Sequence, residues 1–378
     1  MIEIKAISPN DKQQMNDFIK LPAKLYKGVE QYVPDLEMEI HDFFNPKKNP
    51  ALAFTIIQAF LAYNDDGEAV GRIVGIVNQH ANQQWNTQNV RFSMIEFVDD
   101  MAVSRALINA VAAWGKQQGM NALQGPMGIT DFDKEGMLVE DFHLRGTMNT
   151  IYNPPYYPQH MEALGLKKEA DWVQIRVDIP QEVPARYARV AQYAREEMGL
   201  RVIKLTNHMA THDGYGKRVF QLLNNAFKPI FGFSELTEEQ IDMMVDQYLY
   251  LTDKKLIPLI LNKEGELVGV AVTIPTLSTA LQRANGKLLP FGWWHLLKAL
   301  RLHSEGGAEM LVVGVRPDYQ GYGANALFFE DLIPIYNKMG IKWAETGPQL
   351  EDNVKELSQW KPLNPTFVKR RRCYKKEI

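Results

Sequence analysis

Residues 311–327 read Leu311-Val-Val-Gly-Val-Arg-Pro-Asp-Tyr-Gln-Gly-Tyr-Gly-Ala-Asn-Ala-Leu327. The apolar, β-branched start predicts a strand, Pro317 marks a turn, and Gly321 and Gly323 lead into a helix. Two physical readings follow. Glycines at these positions let backbone N–H groups approach an oxyanion such as a pyrophosphate, and the helix N-terminus adds unpaired donors and a favourable dipole. Alternatively, the glycines only make a tight strand-to-helix turn.

Working outward, this stretch sits in a plan that occurs twice. In the first half, Ala59–Tyr63, the turn Asn64-Asp-Asp-Gly67 and Ala69–Val77 read as a hairpin. A strand follows at Phe92–Phe97, then an amphipathic helix over Ala102–Gln118, then a short strand at Ala122–Gln124. In the second half the same order runs through Leu256–Leu261, Asn262-Lys-Glu-Gly265, Leu267–Ile274, Met310–Val315, Gly323–Met339 and Lys342–Ala344. A repeat at that spacing indicates duplicated domains rather than a solenoid. The expected class is α/β with mixed central sheets. The Pro-rich, polar stretch Asp178–Pro184 places the boundary near residue 182, giving domains 1–182 and 183–378, with an apolar, aromatic and basic insertion at 276–304.

Composition fits this division. A chain of 378 residues exceeds what one core usually serves, and 46% hydrophobic with 23% charged residues is globular. Forty-two Lys and Arg against 45 Asp and Glu give a net charge of −3, which argues against a general nucleic-acid surface. The single cysteine, Cys373, cannot build a disulfide framework and fits a reducing compartment. The N-terminus alternates rather than forming a basic and then apolar export signal, and no uncharged apolar run of about 18 residues occurs. The expectation is a cytoplasmic protein.

The phosphate-loop stretch resembles the GCN5-related N-acetyltransferase (GNAT) superfamily, whose motif Gln/Arg-x-x-Gly-x-Gly/Ala holds the pyrophosphate of acyl-coenzyme A. Gln320, Gly321, Tyr322, Gly323 and Ala324 match, and Val315–Tyr319 is the family's usual lead-in. Asn325 departs from the pattern, standing where Gly or Ala is expected. The corresponding place in the first half, Val98-Asp-Asp-Met-Ala-Val-Ser-Arg105, has no glycine and two acids that would repel a pyrophosphate. The resemblance therefore implies two tandem GNAT-like domains, one coenzyme A site in the second, and an acceptor-side or structural role for the first. Further features, among them Gly71-Arg-Ile73, Gly125-Pro126, Tyr152–Tyr157, Asn285–Pro290 and Glu351-Asp-Asn353, are similar to a tandem group that includes bacterial ceramide synthases.

What the resemblance implies is transfer of an acyl group from acetyl- or longer acyl-coenzyme A to a primary amine by direct attack, with no metal. A lipidic or sphingoid amine is one acceptor class; small amines and peptides are others. The alternative is a catalytically silent acyl-coenzyme A-binding or regulatory protein. Many relatives use a tyrosine seven residues after an asparagine to protonate the thiolate. Asn353 matches the asparagine, but Trp360 stands at the tyrosine position. Tyr374 on the terminal strand is a substitute donor, and Glu345, Glu351 and Asp352 are candidate bases. For the acceptor side, the candidates are Asp131 in Thr130-Asp-Phe-Asp133, and Tyr152, Asn153 and Tyr156 in a segment stiffened by Pro154 and Pro155. The competing reading makes Pro154 and Pro155 a helix start with the tyrosine rings in the core. His208 and His212 share helical spacing but lack a third ligand, so a metal site is not expected.

In the insertion, Phe291, Trp294, Leu297 and Leu300–Leu302 form an apolar stripe among His295, Lys298, Arg301 and His303. Such a helix covers a core, or lies at a membrane interface and roofs an acyl chain, with Trp294 as a substrate contact and a peripheral association with the inner membrane face. The tail Lys369-Arg-Arg-Arg-Cys-Tyr-Lys-Lys376 reads as a solvated edge strand, or as a basic patch near phosphates or anionic lipid.

Overall fold

A computed structural model describes residues 1–248 and 252–378. Fourteen strands form one sheet: β1 (Glu3–Ile7), β2 (Thr55–Tyr63), β3 (Ala69–Asn78), β4 (Asn89–Phe97), β5 (Ala122–Gly125), β6 (Met137–Leu138), β7 (Lys167–Asp178), β8 (Arg201–Lys204), β9 (Pro258–Leu261), β10 (Leu267–Pro275), β11 (Gly307–Val315), β12 (Trp343–Thr346), β13 (Gln349–Leu350) and β14 (Thr366–Glu377). Their spatial order is β1-β2-β3-β4-β5-β14-β7-β12-β11-β10-β9-β8, with β6 beside β14 and β13 beside β7. The fold is α/β with a large mixed sheet.

Both halves follow the duplicated plan. Asn64–Gly67 turns β2 into antiparallel β3, and Asn262–Gly265 turns β9 into β10. The helix Met101–Gln117 crosses from β4 to parallel β5, and Ala324–Lys338 crosses from β11 to parallel β12. The first helix buries Val103, Leu107, Ile108 and Val111 on one side, and the second buries Leu327, Phe328, Leu332 and Ile333. Burying a large aliphatic or aromatic side chain contributes roughly 1.5–3 kcal/mol each, so these stripes fix which helix face meets the sheet.

The sheets of the two halves are joined by exchanged strands. β7, from the residues before 182, pairs antiparallel with β12; β14, from the residues after it, pairs antiparallel with β5. β7 and β14 also pair with each other and form the middle of the sheet. The basic tail is therefore an interior strand, which overturns the reading of a solvated edge. Its cations have specific partners: Arg372 and Arg370 reach Asp171, Lys375 reaches Glu169, and Lys369 reaches Glu345. Alternation decides the faces, with Lys369, Arg371 and Cys373 buried and Arg370 and Arg372 half-buried.

Candidate active site

Each half contains a point where parallel neighbours part. The register of β11 with β12 ends at Met310 opposite Thr346, and the register of β4 with β5 ends at Arg91 opposite Gln124. Both parting strands carry a bulge there. Leu311 is the extra residue of β11 against β10, and Met94 lies in the bulge of β4 against β3 with φ 48°. A bulge leaves an extra residue out of the ladder and bends the strand, opening a gap. One cleft of about 1740 Å³ runs between these two gaps, lined by Leu311–Val315 at one end and by Ser93–Glu96 at the other.

At the second-half end lies the glycine loop. Gly321 and Gly323 have φ of 87° and 85°, in the left-handed region that favours glycine. A Cβ at Gly321 would meet nothing within 4 Å, whereas one at Gly323 would stand 2.7 Å from Val190 Cγ1 on the helix Ala185–Glu196. Gly321 thus serves the backbone turn, and Gly323 also serves helix contact. No side chain caps the helix that starts at Ala324, which leaves its first amides facing the loop. Asn325 Nδ2 donates to Gln359 at 2.6 Å, and among the described residues its buried Oδ1 has no partner. An open helix N-terminus above glycines suits an anionic group. The first-half helix differs: Asp100 accepts from Ala102 N at 2.7 Å, so its own carboxylate occupies that N-terminus. Arg186 and Lys355 line the glycine end of the cleft, and burial pushes nearby Glu356 up to about 7.

The first-half end is acidic. Its lining includes Asp35, Glu39, Asp42, Glu96, Asp131, Asp133 and Glu135, against Lys48, Arg72 and Lys134. Burial pushes Asp131 up to about 7, with Arg91 opposing the shift and Asp133 adding to it. Burial also raises Glu135, and neighbouring Asp131 raises it further. Among the described residues, Asp131 Oδ1 and Glu135 Oε2 are buried without a hydrogen-bond partner. Asp133 differs, since its Oδ2 accepts from Ile129 N and Thr130 N at 2.9 Å each. The compensating cation is Arg91, which donates to Gly128 O at 3.1 Å and across the halves to Gly232 O at 2.8 Å. Deeper in, Tyr26 and Tyr157 donate to Glu96, which burial pushes up to about 7.

Between the two ends the wall is apolar. Leu277 and Leu281 of the helix Ser278–Ala284 and Leu296 and Leu300 of the helix Gly292–Leu302 meet Leu311 at the bulge.

The expected site residues divide unevenly. Val315, Gln320, Gly321, Gly323, Ala324 and Asn325 line the cleft together, whereas Tyr322 is largely exposed and lies outside the lining. Asn353 also lines it, although its Oδ1 caps Val354–Ser358 by accepting from Glu356 N at 3.3 Å. Asp131 and Tyr152 line the acidic end. The other candidates lie elsewhere. Asn153 is buried, accepting from Leu138 N at 2.7 Å and donating to Leu138 O at 3.0 Å. Tyr156 donates to Phe97 O at 2.7 Å beside the first-half core, at the start of the helix Tyr156–Ala163.

Three further expectations are corrected by geometry. Tyr374 is fully buried opposite Gly125 in the first-half core, and its hydroxyl donates to Glu162 at 3.2 Å, away from the cleft. Glu345 lies opposite Glu309 inside the sheet, where Gln174 donates to it at 2.9 Å; Thr346 and Gly347, the next residues, reach the cleft instead. Trp294 is turned outward, and Trp293 lines the cleft, because one residue along a helix rotates the side chain by about 100°. Trp360, at the expected tyrosine position, lines the cleft and packs edge-on against Phe329 at 5.2 Å. Its buried indole N–H has no partner among the described residues.

Residues the sequence reading missed include Arg72, Arg91, Glu96 and Glu309. Each is a charge inside a strand of otherwise apolar character, and that anomaly was a visible signal.

No protein-family model matches the chain. It is 28% identical over 375 residues to Protein YghO of Escherichia coli (strain K12), covering 97% of this chain and 94% of the relative. It is 28% identical over 321 residues to the bacterial ceramide synthase of Caulobacter vibrioides (strain NA1000 / CB15N), covering 84% and 82%. Among solved structures, a tandem GNAT protein from the clavulanic acid biosynthesis pathway superposes with TM-score 0.58 at 12% identity, over 100% of this chain and 98% of that one. The chain therefore has the fold of a tandem GNAT protein, and over most of its length it is similar in sequence to the bacterial ceramide synthase.

Proposed function

We propose that the protein is an acyl-coenzyme A-dependent N-acyltransferase acting on a lipidic amine, one acceptor class being the sphingoid bases suggested by the relative's name. The observation that carries this reading is the polarity of one cleft: a glycine loop under an open helix N-terminus at one end, and at the other two carboxylates, Asp131 and Glu135, each with a buried oxygen that has no hydrogen-bond partner among the described residues. The amides of residues 321–325 would hold the pyrophosphate, and Arg186 and Lys355 would add positive charge. The gap at Leu311 and Gly347 would receive the thioester, with Leu277, Leu281, Leu296 and Leu300 covering the acyl chain.

An alkylammonium group suits the acidic end. Asp131 would take its proton, after which the free amine attacks the thioester carbonyl carbon. The C–N bond forms as the C–S bond breaks, and the coenzyme A thiolate leaves, its proton balancing the one that the attacking nitrogen gives up as it becomes an amide. Trp360 offers an indole N–H as a hydrogen-bond donor but no titratable proton. A silent binding protein is the second reading, favoured by Trp360 and by the displacement of Tyr374 into the core.

The test is an acylation screen pairing an acyl-coenzyme A chain-length series with sphingoid bases and small amines, read by thiol release and mass of the amide. Chain-length-dependent amide formation supports the enzyme. Saturable coenzyme A binding without any amide supports the silent reading, and absence of coenzyme A binding overturns both.

A further inference from the structure

No helix of the described residues is long and apolar enough to cross a membrane. The helix Gly292–Leu302 nevertheless has an outer face of unusual composition. Its inner face, Leu296, Ala299 and Leu300, packs beside the cleft. Two adjacent i, i+4 rows, Trp293-Leu297-Arg301 beginning at the cleft mouth and Trp294-Lys298-Leu302 beyond it, have all six side chains exposed. The preceding loop adds Leu289 and Phe291, with Phe291 72% and Trp294 54% exposed.

An inner face committed to packing explains the inward stripe, but not six large apolar residues outside it. Contiguous exposed apolar surface at this scale marks an interaction site. Charge says which one. Residues 276–304 contain Arg283, Lys287, Lys298 and Arg301 and no Asp or Glu, although the chain as a whole carries −3. Lys298 and Arg301 stand between the apolar side chains rather than apart from them, and Lys287 meets Glu37 at 3.8 Å at the margin. Tryptophans interleaved with Lys and Arg match the headgroup layer of an anionic bilayer, where indole rings sit at the boundary and cations meet lipid phosphates. The surface is also continuous with the cleft, since Trp293 and Leu297 are both exposed and part of its lining.

We propose that residues 285–302 dock the protein on the surface of an anionic phospholipid bilayer, with the cleft mouth facing the lipid. Lipidic amine and long-chain acyl donor then reach the cleft without crossing water. Docking does not depend on the acyl-transfer reading, and its test reads no turnover.

The full chain is floated with vesicles of phosphatidylcholine alone and of phosphatidylcholine with about 30 mol% phosphatidylglycerol. The expected result is binding to the anionic vesicles, weakened by salt. The double variant Phe291→Ser/Leu302→Ser is expected to lower partitioning about tenfold or more. Lys298→Glu/Arg301→Glu is expected to abolish the preference for phosphatidylglycerol. Denaturation midpoints of both variants distinguish loss of docking from loss of fold, and the charge-reversal pair alters only exposed side chains. Failure of the wild-type chain to float with anionic vesicles overturns the proposal. So does equal flotation of folded variants, or sedimentation showing that the patch joins two copies of the chain in place of lipid.

Discussion

The Lys369 ammonium lies 2.6 Å from the Glu345 carboxylate, with 3% of each side chain exposed, at the seam where the two halves exchange strands. Lys369 adopts φ 49° at a bulge in β14, and its amide donates to Asp141 at 3.0 Å. Burial lowers the Lys369 pKa, and Glu345 opposes that shift. Removing one member strands the other in the sheet. Lys369→Met is expected to cost about 3–5 kcal/mol, and Lys369→Met/Glu345→Leu to recover much of it. Urea denaturation of both variants and of Glu345→Leu closes the cycle.

The two loop glycines should respond differently. Gly321→Ala has open space and meets only backbone strain, of about 1 kcal/mol. Gly323→Ala adds a collision with Val190 and must push apart two helices beside the proposed pyrophosphate loop. Calorimetric titration with coenzyme A is expected to show at least about tenfold weaker binding for Gly323→Ala than for Gly321→Ala, a difference of about 1.4 kcal/mol.

Asp131 sets a pH dependence whose sign is fixed. Its folded pKa of about 7 exceeds the unfolded carboxylate value, so the folded state holds the proton longer. That contribution to stability is fully present below about pH 4 and is lost as pH rises towards 7. Asp131→Asn removes the titration, and above pH 7 it is expected to be more stable than the wild-type chain, by about 2 kcal/mol. In turnover the order reverses: wild-type rates rise through about pH 7 as the carboxylate forms, and the Asn variant loses that limb. Melting curves and rate profiles over the same pH range check both.

The apolar wall gives a chain-length prediction. Leu300→Trp narrows the wall formed by Leu281, Leu296 and Leu311. Each methylene denied burial costs about 0.8 kcal/mol, so preference should move to shorter acyl donors by several carbons. Competition between long- and short-chain acyl-coenzyme A, with products resolved by mass, measures the shift.

Legibility from sequence followed the range of the interaction. The hairpins at Asn64–Gly67 and Asn262–Gly265, the crossover helices and the glycine loop depend on neighbours a few residues apart, and they were readable. Local chemistry even told the two helix N-termini apart, since Asp100 fills one and Gly323 leaves the other open. The acidic end was only partly readable. Asp131 and Tyr152 came from suggestive loops, while Arg91, Glu96 and Glu135 took on meaning only when β4 and the loop after β5 met at one end of the cleft.

Sequence by itself determined the duplicated α/β plan, the position of the glycine loop and the missing acid in residues 276–304, because periodicity, turn residues and charge are properties of contiguous chain. Tertiary structure decided that β7 and β14 change places, and with that exchange the roles of the tail. Lys369 and Arg371 became buried cations, Tyr374 a core ring and Glu345 an ion-pair partner. Strand pairing across about 200 residues leaves no periodic mark, since the same alternation serves an edge or a centre. Only the neighbours supplied by the folded sheet distinguish the two.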